Sequence, residues 1–237
     1  MDQHEAKRRA AIAALSYLPE RGVVGLGSGS TARLFIEGVG ALVRQGRRLV
    51  GVPTSEESRT QAASEGIPLL DDEGPWDIDV CVDGADEVSP GLDLIKGGGG
   101  CHTREKLVNQ ASRHNIVIVD ESKLSERLGE RWPVPVEVLP FGHRFTAREL
   151  ARFGRVALRL AGDEPWRTDA GNYIYDIHAG PIEDAAELDR ALGSQPGVVE
   201  TGLFCGRVTR VLVAGAGGVR ELLPPSAASS APRRPSR

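Results

Sequence analysis

Short apolar runs alternate with longer amphipathic or polar stretches through the first half of the chain. Apolar runs bounded by turn residues predict buried strands at residues 23–27, 49–52, 67–70, 78–82 and 116–119. The segments around and between them predict helices at residues 4–18, 32–43, 55–65 and 103–113. Strands that alternate with helices in this way predict an α/β fold with a mostly parallel, doubly wound sheet.

The pattern changes after residue 131. The predicted elements there are a strand at 134–139, a helix at 146–153, strands at 156–160 and 173–177, a helix at 182–192 and a strand at 198–204. The order β-α-β-β-α-β is the signature of a ferredoxin-like unit. We therefore expect a small α+β domain at residues 132–205 beside a Rossmann-like domain formed by residues 1–131 and 206–223.

The C-terminal part of the chain has a third pattern of hydrophobic and polar residues. Residues 207–213 predict one more strand, and residues 214–218 are expected to turn into a last short helix. Residues 224–237 are rich in Pro, Ser, Ala and Arg, and we expect them to be disordered because they cannot bury a core.

Composition excludes several classes of function. The chain has 237 residues and a net charge of −4 without a basic stripe, which argues against a nucleic-acid partner. No apolar run reaches membrane-spanning length, and the polar N-terminus does not resemble a signal peptide, so we expect no membrane association. Cys81, Cys101 and Cys205 form no CxxC pair, which indicates a reducing, cytoplasmic setting. The five histidines are scattered and only Cys101 and His102 are neighbours, so neither a metal nor another cofactor is expected.

The strongest candidate for chemistry is the stretch from residue 78 to residue 106. Asp83 and Asp86 follow a buried strand at once, where ligands bind in open α/β sheets. Lys96 and four glycines come next, and bare backbone there can turn its N–H groups toward an anion. Glu105 lies in the first turn of a predicted helix. Each piece alone has an ordinary explanation as a turn or a helix-dipole partner, but clustered carboxylates repel, so together they indicate a functional site.

A second candidate is the glycine-rich turn after the first strand. Its glycines have the spacing G-x-G-x-G, and no acidic residue follows the second strand, so a dinucleotide site is poorly supported. Ser28, Ser30 and Thr31 supply hydroxyl groups at a helix N-terminus, which suits a small phosphate or sugar, and a plain tight turn is the alternative. From spacing alone Lys7 belongs to a solvated basic face, whereas Lys123 follows another strand and faces the same edge of the sheet.

Seven motifs in one order resemble the type A ribose-5-phosphate isomerase family across residues 5–223. They are Gly25-Leu-Gly-Ser-Gly-Ser-Thr31, Val82-Asp-Gly-Ala-Asp-Glu87, Ile95-Lys-Gly-Gly-Gly99, Thr103-Arg-Glu-Lys106, Asp120-Glu-Ser-Lys123, Pro135-Val-Glu-Val138 and Pro196-Gly-Val-Val199. The chain departs from the family at Ser28, where Thr is frequent, and at residues 100–102, where family members have smaller or apolar residues.

The resemblance implies an isomerase that interconverts D-ribose 5-phosphate and D-ribulose 5-phosphate in the non-oxidative pentose phosphate pathway. It implies a Rossmann-like domain with a small lid domain, a homodimer, and an ene-diolate intermediate formed without metal or cofactor. The catalytic residues that carry over are Glu105 as the base, Asp83, Asp86 and Lys96. The substrate contacts that carry over are Lys7, Ser28, Gly29, Ser30, Thr31, Asp83, Gly84, Ala85, Asp86, Lys96, Gly97, Gly98, Gly99 and Lys123. Asp83 is the expected acid–base for ring opening, with Asp86 holding hydroxyl groups.

Two other classes remain possible at this stage. A non-catalytic sugar-phosphate sensor of similar fold would lack a base at position 105 and would carry a DNA-binding segment, and no helix-turn-helix pattern is visible. A CoA-transferase-like enzyme would form a thioester on a glutamate, but the lysine-glycine run and the small size of the chain disfavour it.

Overall fold

The computed structural model describes residues 2–225. Most of the tail that was predicted to be disordered, residues 224–237, therefore lies outside the described residues. Within residues 2–225 there are six α-helices: α1 (Gln3–Leu15), α2 (Ser30–Arg44), α3 (Glu56–Ser64), α4 (His102–Gln110), α5 (His143–Leu150) and α6 (Ala185–Gly193). A search of these described residues finds no helix with the length and apolar character that a membrane span requires.

The same residues form fifteen strands, several of them only two residues long. They are β1 (Arg21–Leu26), β2 (Arg48–Pro53), β3 (Ile78–Asp83), β4 (Glu87–Val88), β5 (Leu94–Ile95), β6 (Ser112–Asp120), β7 (Val134–Val138), β8 (Arg155–Leu158), β9 (Leu160–Ala161), β10 (Glu164–Pro165), β11 (Tyr173–His178), β12 (Val198–Thr201), β13 (Leu203–Phe204), β14 (Arg210–Gly215) and β15 (Gly218–Leu222).

The main sheet has six strands in the order β15-β14-β6-β3-β1-β2. Its five strands from β14 to β2 are parallel, and β15 runs antiparallel at one edge. The central strands are apolar and buried because helices and loops cover both faces, as in parallel sheets generally. This confirms the predicted α/β fold.

Helices α1 and α2 cover one face of the main sheet. The buried residues of α2 recur at helical spacing and belong to the same core cluster as Ala10 and Ala14 of α1. On the other face, Val108 of α4 packs with Val52, Ile78 and Cys81. The short strands β13, β5 and β4 form a three-stranded sheet beside α4 and share an apolar cluster with β14.

The chain reverses direction between β1 and β3. It passes from β1 outward to β2 and then returns to place β3 on the opposite side of β1. In open α/β sheets a crevice forms at the carboxyl ends of the strands at such a switch point. The turn after β1 and Asp83 at the end of β3 therefore lie side by side.

A four-stranded antiparallel sheet has the order β12-β7-β11-β8. Helices α5 and α6 contribute Leu150 and Leu192 to its core, which also includes Ile95 and Leu203 from the three-stranded sheet. These shared residues connect the small sheet to the segment that carries Lys96 and the glycine loop.

Two predicted elements are wrong. Residues 218–222 form strand β15 rather than a helix, because Gly215 and Gly218 close a tight turn and the edge of β14 offers a ladder of hydrogen bonds. The strand predicted at residues 67–70 is reduced to one bridge between Leu69 and Gly51. The predicted 103–113 helix ends at Gln110, and β6 begins already at Ser112.

Candidate active site

An open cleft of about 130 Å³ lies at the carboxyl ends of β1, β3 and β6. It is lined by Lys7, Ser28, Gly29, Ser30, Thr31, Gly84, Ala85, Asp86, Lys96, Gly97, Gly98, Gly99, Glu105 and Lys123. The fold thus brings together every site residue predicted from the sequence, with the exception that Asp83 lies behind Lys96 and not on the cleft wall.

Lys96 is the centre of the buried end of the cleft. Its Nζ donates to Asp83 Oδ2 at 2.9 Å and to the carbonyl oxygen of Gly84 at 2.7 Å, and it lies 3.1 Å from Glu105 Oε2. Burial by itself lowers the pKa of Lys96, but the Asp83 and Glu105 carboxylates outweigh burial and raise it above the usual value. The ammonium group therefore stays charged.

Glu105 projects from the first turn of α4 and is buried. Burial and the negative charge of Asp83 together raise its pKa to about 8, although Lys96 opposes both effects. Apart from its contact with Lys96, the Oε2 atom has no hydrogen-bond partner within residues 2–225. A carboxylate with a pKa near neutrality is suited to accept and return a proton.

Both carboxylate oxygens of Asp83 accept hydrogen bonds from groups of the protein itself. Its Oδ1 accepts hydrogen bonds from the backbone N–H of Ser28 at 3.0 Å and of Gly84 at 2.7 Å, while Oδ2 accepts from Lys96. A Cβ at Gly27 would overlap the Asp83 carboxylate, which explains why bare backbone is needed there. Asp83 therefore fixes both the turn after β1 and the position of the lysine.

Asp86 and the glycine loop form the opposite wall. Asp86 Oδ2 accepts a hydrogen bond from the N–H of Gly98 at 2.6 Å. The glycine run therefore has one fewer N–H group available to bind an anion than the sequence predicted. Gly97 has a φ of 100°, and a Cβ there would lie 2.6 Å from His102 Nδ1. A Cβ on Gly99 would meet no atom within 4 Å, so this residue borders open space.

The outer end of the cleft is formed by the start of α2. Gly29, with a φ of 88°, caps the helix without a side-chain hydrogen bond, so the first N–H groups and the positive end of the helix dipole face the cleft. Lys7 Nζ donates to Ser30 Oγ at 3.0 Å, so Lys7 belongs to this site and not to a solvated basic face. Lys123 follows β6, lines the same cleft and lies 5.0 Å from the centre of the Trp132 ring.

The hydroxyl groups of the turn are not equivalent. Ser28 Oγ hydrogen-bonds to Thr54 Oγ1 at 2.8 Å and to Ser55 Oγ at 2.7 Å. Ser28 is thereby occupied in holding the turn against the end of β2. Ser30 remains beside Lys7 at the helix N-terminus.

Two residues beside the short strands β9 and β10, which the sequence analysis did not identify, hold the glycine loop. Arg159 Nη1 donates to the carbonyl oxygens of Gly97 at 2.8 Å and Gly98 at 3.1 Å, and Trp166 occupies the space next to the Cα of Gly100. No spacing signal could have identified them, because Arg159 and Trp166 reach the loop only through the tertiary fold.

Glu137 is a second element that the sequence reading left without a role. It is fully buried on β7 and accepts hydrogen bonds from Thr168 Oγ1 and Asn172 Nδ2, each at 2.8 Å. Its other oxygen accepts from Thr103, two residues before Glu105. The motif at residues 135–138 thus ties the first turn of α4 to the loop before β11.

The residues at which the chain departs from the family pattern lie beside the cleft. Burial lowers the pKa of His102 to about 3, so its imidazole is neutral, and Nε2 lies 3.3 Å from the carbonyl oxygen of Glu200. Burial raises the pKa of the Cys101 thiol to about 12. Within residues 2–225, no three His, Cys, Asp or Glu side chains are grouped to hold a metal ion.

Comparison with known proteins gives one consistent result. Residues 50–218 match the family model described as ribose 5-phosphate isomerase A (phosphoriboisomerase A). The chain is 48% identical to ribose-5-phosphate isomerase A of Gloeobacter violaceus over 96% of its own length and all of the relative's length. It is 46% identical to the protein of the same name from Desulfatibacillum aliphaticivorans, over 93% and 97% of the two chains.

Solved structures agree. The structure of ribose 5-phosphate isomerase A from Methanocaldococcus jannaschii superposes with a TM-score of 0.88 at 42% identity, covering 92% of this chain and 98% of the other. A D-ribose-5-phosphate isomerase in complex with phospho-erythronic acid superposes with a TM-score of 0.91 at 38% identity, covering 94% and 100%.

Proposed function

The chain belongs to the ribose 5-phosphate isomerase A family, and we propose from this premise that Glu105 is the base that moves the proton in the family's reaction. The protein is an aldose–ketose isomerase that interconverts D-ribose 5-phosphate and D-ribulose 5-phosphate, the expected context being the pentose phosphate pathway. Membership of this family removes the sensor and CoA-transferase alternatives.

One observation carries the assignment. A buried carboxylate of raised pKa lies 3.1 Å from a buried, charged lysine on the wall of a cleft whose other end has a helix N-terminus and two more lysines. A sugar phosphate has the matching polarity, with reacting carbons at one end and a dianion at the other. The complex of a related isomerase with phospho-erythronic acid supports a ligand of this class.

The isomerisation requires one proton to move between neighbouring carbons. The Glu105 carboxylate takes the proton from C2 of the open-chain aldose, and the electron pair moves to form an ene-diolate. Protonated Glu105 then returns the proton to C1, which yields the ketose. Lys96, with the N–H groups of Gly97 and Gly99, stabilises the negative charge that develops on the substrate oxygens.

The closed sugar ring must open before this step. Asp83 was the predicted acid–base for ring opening, and that role stays a prediction. Its three hydrogen bonds to Ser28, Gly84 and Lys96 favour a positioning role that keeps the lysine charged and in place. Asp86 lines the cleft, and we propose that its carboxylate takes the proton of the anomeric hydroxyl and delivers it to the ring oxygen as the bond between C1 and the ring oxygen breaks. We also propose that Asp86 holds hydroxyl groups of the open-chain sugar.

The phosphate is proposed to bind at the start of α2. The N–H groups after Gly29, the hydroxyl groups of Ser30 and Thr31, and the ammonium groups of Lys7 and Lys123 all line this end. Ser28, Gly84, Ala85 and Gly98 complete the walls around the sugar. We further propose that residues 132–205 act as a lid domain, since Arg159 and Trp166 hold the glycine loop from that side.

A homodimer in the cytoplasm is proposed for the working enzyme. Phe141 is 94% exposed and Phe145 is also exposed, which suits an interface between copies of this chain. Cys81, Cys101 and Cys205 are free thiols, which fits a reducing compartment. Sedimentation of the purified protein as a monomer at micromolar concentration would contradict the dimer.

The base assignment is tested with the Glu105→Gln substitution. The amide keeps the size of the side chain but cannot take up the proton, so kcat for ribulose 5-phosphate formation should fall by about 10²- to 10⁴-fold. Substrate binding, measured by calorimetry, should remain.

Glu57→Gln is the matched control, because Glu57 also lies in the first turn of a helix but is exposed, pairs with Arg33 and does not line the cleft. It should leave kcat unchanged. A Glu105→Gln enzyme with wild-type turnover would move the base to another carboxylate, Asp86 first.

A further inference from the structure

A small cavity lies behind the buried end of the cleft. It measures about 10 Å³, which is room for about one water molecule, and its wall includes Asp83, Lys96, Glu105, Asn109, Asn115 and Phe204. We call it the rear cavity. Glu105 lines both the cleft and the rear cavity, so its carboxyl group stands between them.

Two of the lining side chains carry buried oxygens that are short of hydrogen-bond donors. Glu105 Oε2 has only its contact with Lys96, and Asn115 Oδ1 has no partner within residues 2–225. Asn115 is more than nine-tenths buried, and its Nδ2 donates to the carbonyl oxygen of Asn109 at 3.0 Å, which fixes the orientation of the amide. Leaving such oxygens unpaired is costly, and a water molecule is the donor that this space admits.

The rear cavity is close to the protein surface. A second, open pocket on the far side is lined by Asn109 and Asn115 together with Cys205, Arg207 and Thr209. Asn109 and Asn115 are therefore the partition between the rear cavity and bulk solvent. Asn109 lies one helical turn after Glu105 on α4, so the partition begins directly beside the carboxylate.

We propose that the rear cavity binds one water molecule, which donates to Glu105 Oε2 and Asn115 Oδ1 and exchanges protons between Glu105 and solvent while substrate fills the cleft. The inference rests on the proposed role of Glu105 as the base. Asn115 acts as a positioning residue, because it holds the water and does not touch the substrate.

The exchange step is balanced. After Glu105 has taken the substrate proton, the carboxyl group gives that proton to the water oxygen and accepts one of the water's own hydrogens in return. No charge is left in the cavity. In deuterated water, Glu105 then delivers deuterium to C1, and the amount per turnover reports how fast the rear water exchanges relative to the return of the proton.

The test compares two substitutions at one position. Asn115→Leu places methyl groups in the rear cavity and displaces the water, whereas Asn115→Ala enlarges it and opens it toward the outer pocket. With ribose 5-phosphate in deuterated water, deuterium at C1 per product formed should fall several-fold for Asn115→Leu and be retained or increased for Asn115→Ala. Turnover should change less than this ratio in both variants.

Cys205→Ala is the control, because Cys205 lines only the outer pocket, and it should keep the wild-type ratio. If Asn115→Leu and Asn115→Ala both keep that ratio, or both shift it in one direction, the relay is refuted while the loss of turnover in Glu105→Gln still supports the base. A high-resolution crystal structure of the wild-type enzyme should also show a water within hydrogen-bond distance of both oxygens, and its absence would overturn the proposal even if the variants fail to fold.

Discussion

The two ends of the cleft differ in how their charges are held. At the inner end, Asp83, Lys96 and Glu105 are buried and in mutual contact, and the pKa values of Lys96 and Glu105 are both raised. At the outer end, Lys7 and Lys123 are only half-buried and reach the cleft from α1 and from the turn after β6. Both ends carry lysine ammonium groups, but in different surroundings.

The difference follows from the effective dielectric around each group. Charges in a buried cluster interact strongly and shift each other's pKa values, so the inner end can tune a base. Charges near solvent are screened and contribute mainly to binding. If the proposed roles are right, the inner end carries the chemistry and the outer end anchors the phosphate, so substitutions at the two ends should change different kinetic parameters.

After Glu105→Gln, the largest effect on kcat is expected from Lys96→Met. In the proposed mechanism the substitution removes the positive charge beside the reacting oxygens, so kcat should fall by about 10²- to 10³-fold. It also leaves Asp83 and Glu105 as buried carboxylates without their cation, which should cost roughly 3–5 kcal/mol of unfolding free energy. Steady-state kinetics and urea unfolding measure the two effects.

Lys106→Met is the control for this variant, because Lys106 is equally buried, pairs with Glu200 at 2.8 Å and lies over the same Phe204 ring. It should lose stability but keep kcat in the folded fraction. Equal loss of kcat in both lysine variants would remove the distinction between the cleft lysine and a structural one.

At the outer end, Lys123→Ala should raise KM about tenfold and spare kcat, since a hydrogen bond to a charged group contributes roughly 1.5–3 kcal/mol and is present in ground and transition states alike. The increase should shrink at high ionic strength. Arg113→Ala, an exposed charge near the start of β6, is the control and should leave KM unchanged. A fall in kcat at constant KM would assign Lys123 to the chemistry.

Glu105 also makes stability depend on pH. Its pKa rises from 4.5 to about 8 on folding, so the folded protein holds the proton more tightly, and stability is lost as the pH rises between these values. Glu105→Gln should remove this loss of stability at high pH, because the amide does not ionise. Its Tm should match or exceed that of the wild type by a few degrees at pH 9, with a smaller difference at pH 5, because about 1 kcal/mol shifts Tm by roughly 2–4 °C at this size. A Tm difference independent of pH would show that Glu105 titrates normally.

The smallest effect is expected from chelation. In the proposed mechanism Lys96 supplies the positive charge that a cation would otherwise bring to the substrate oxygens, so activity after exhaustive treatment with EDTA should equal that of the untreated enzyme. Loss of activity on chelation, with recovery on adding a divalent ion, would contradict this expectation.

Much of the site could be anticipated from the sequence because its members follow apolar strands. Asp83 ends β3, the turn with Ser30 follows β1, and Lys123 follows β6, and the carboxyl ends of parallel strands meet at one edge of a sheet. The periodicity of hydrophobic residues predicted the strands and helices, and the motifs predicted the order of the site residues along the chain.

Only the tertiary structure decided how these groups are coupled. The position of Asp83 behind Lys96, the commitment of the Gly98 N–H to Asp86, and the access of Glu105 to both cavities depend on packing at distances of a few ångströms. A sequence period does not encode such distances.

The largest errors of the sequence reading arose where the local signal was short. The five residues of β15 fit either a strand or a helical turn, and the free edge of β14 made them a strand. Arg159 belongs to no motif, since it contacts the glycine loop from a distant segment of the chain. Asn115 belongs to none either, and its place on the wall of the rear cavity follows from the packing of β6. The sequence thus determined which elements form and which edge of the sheet carries the chemistry. The fold determined the burial and the contacts that tune the charges, because these depend on residues far apart in the chain.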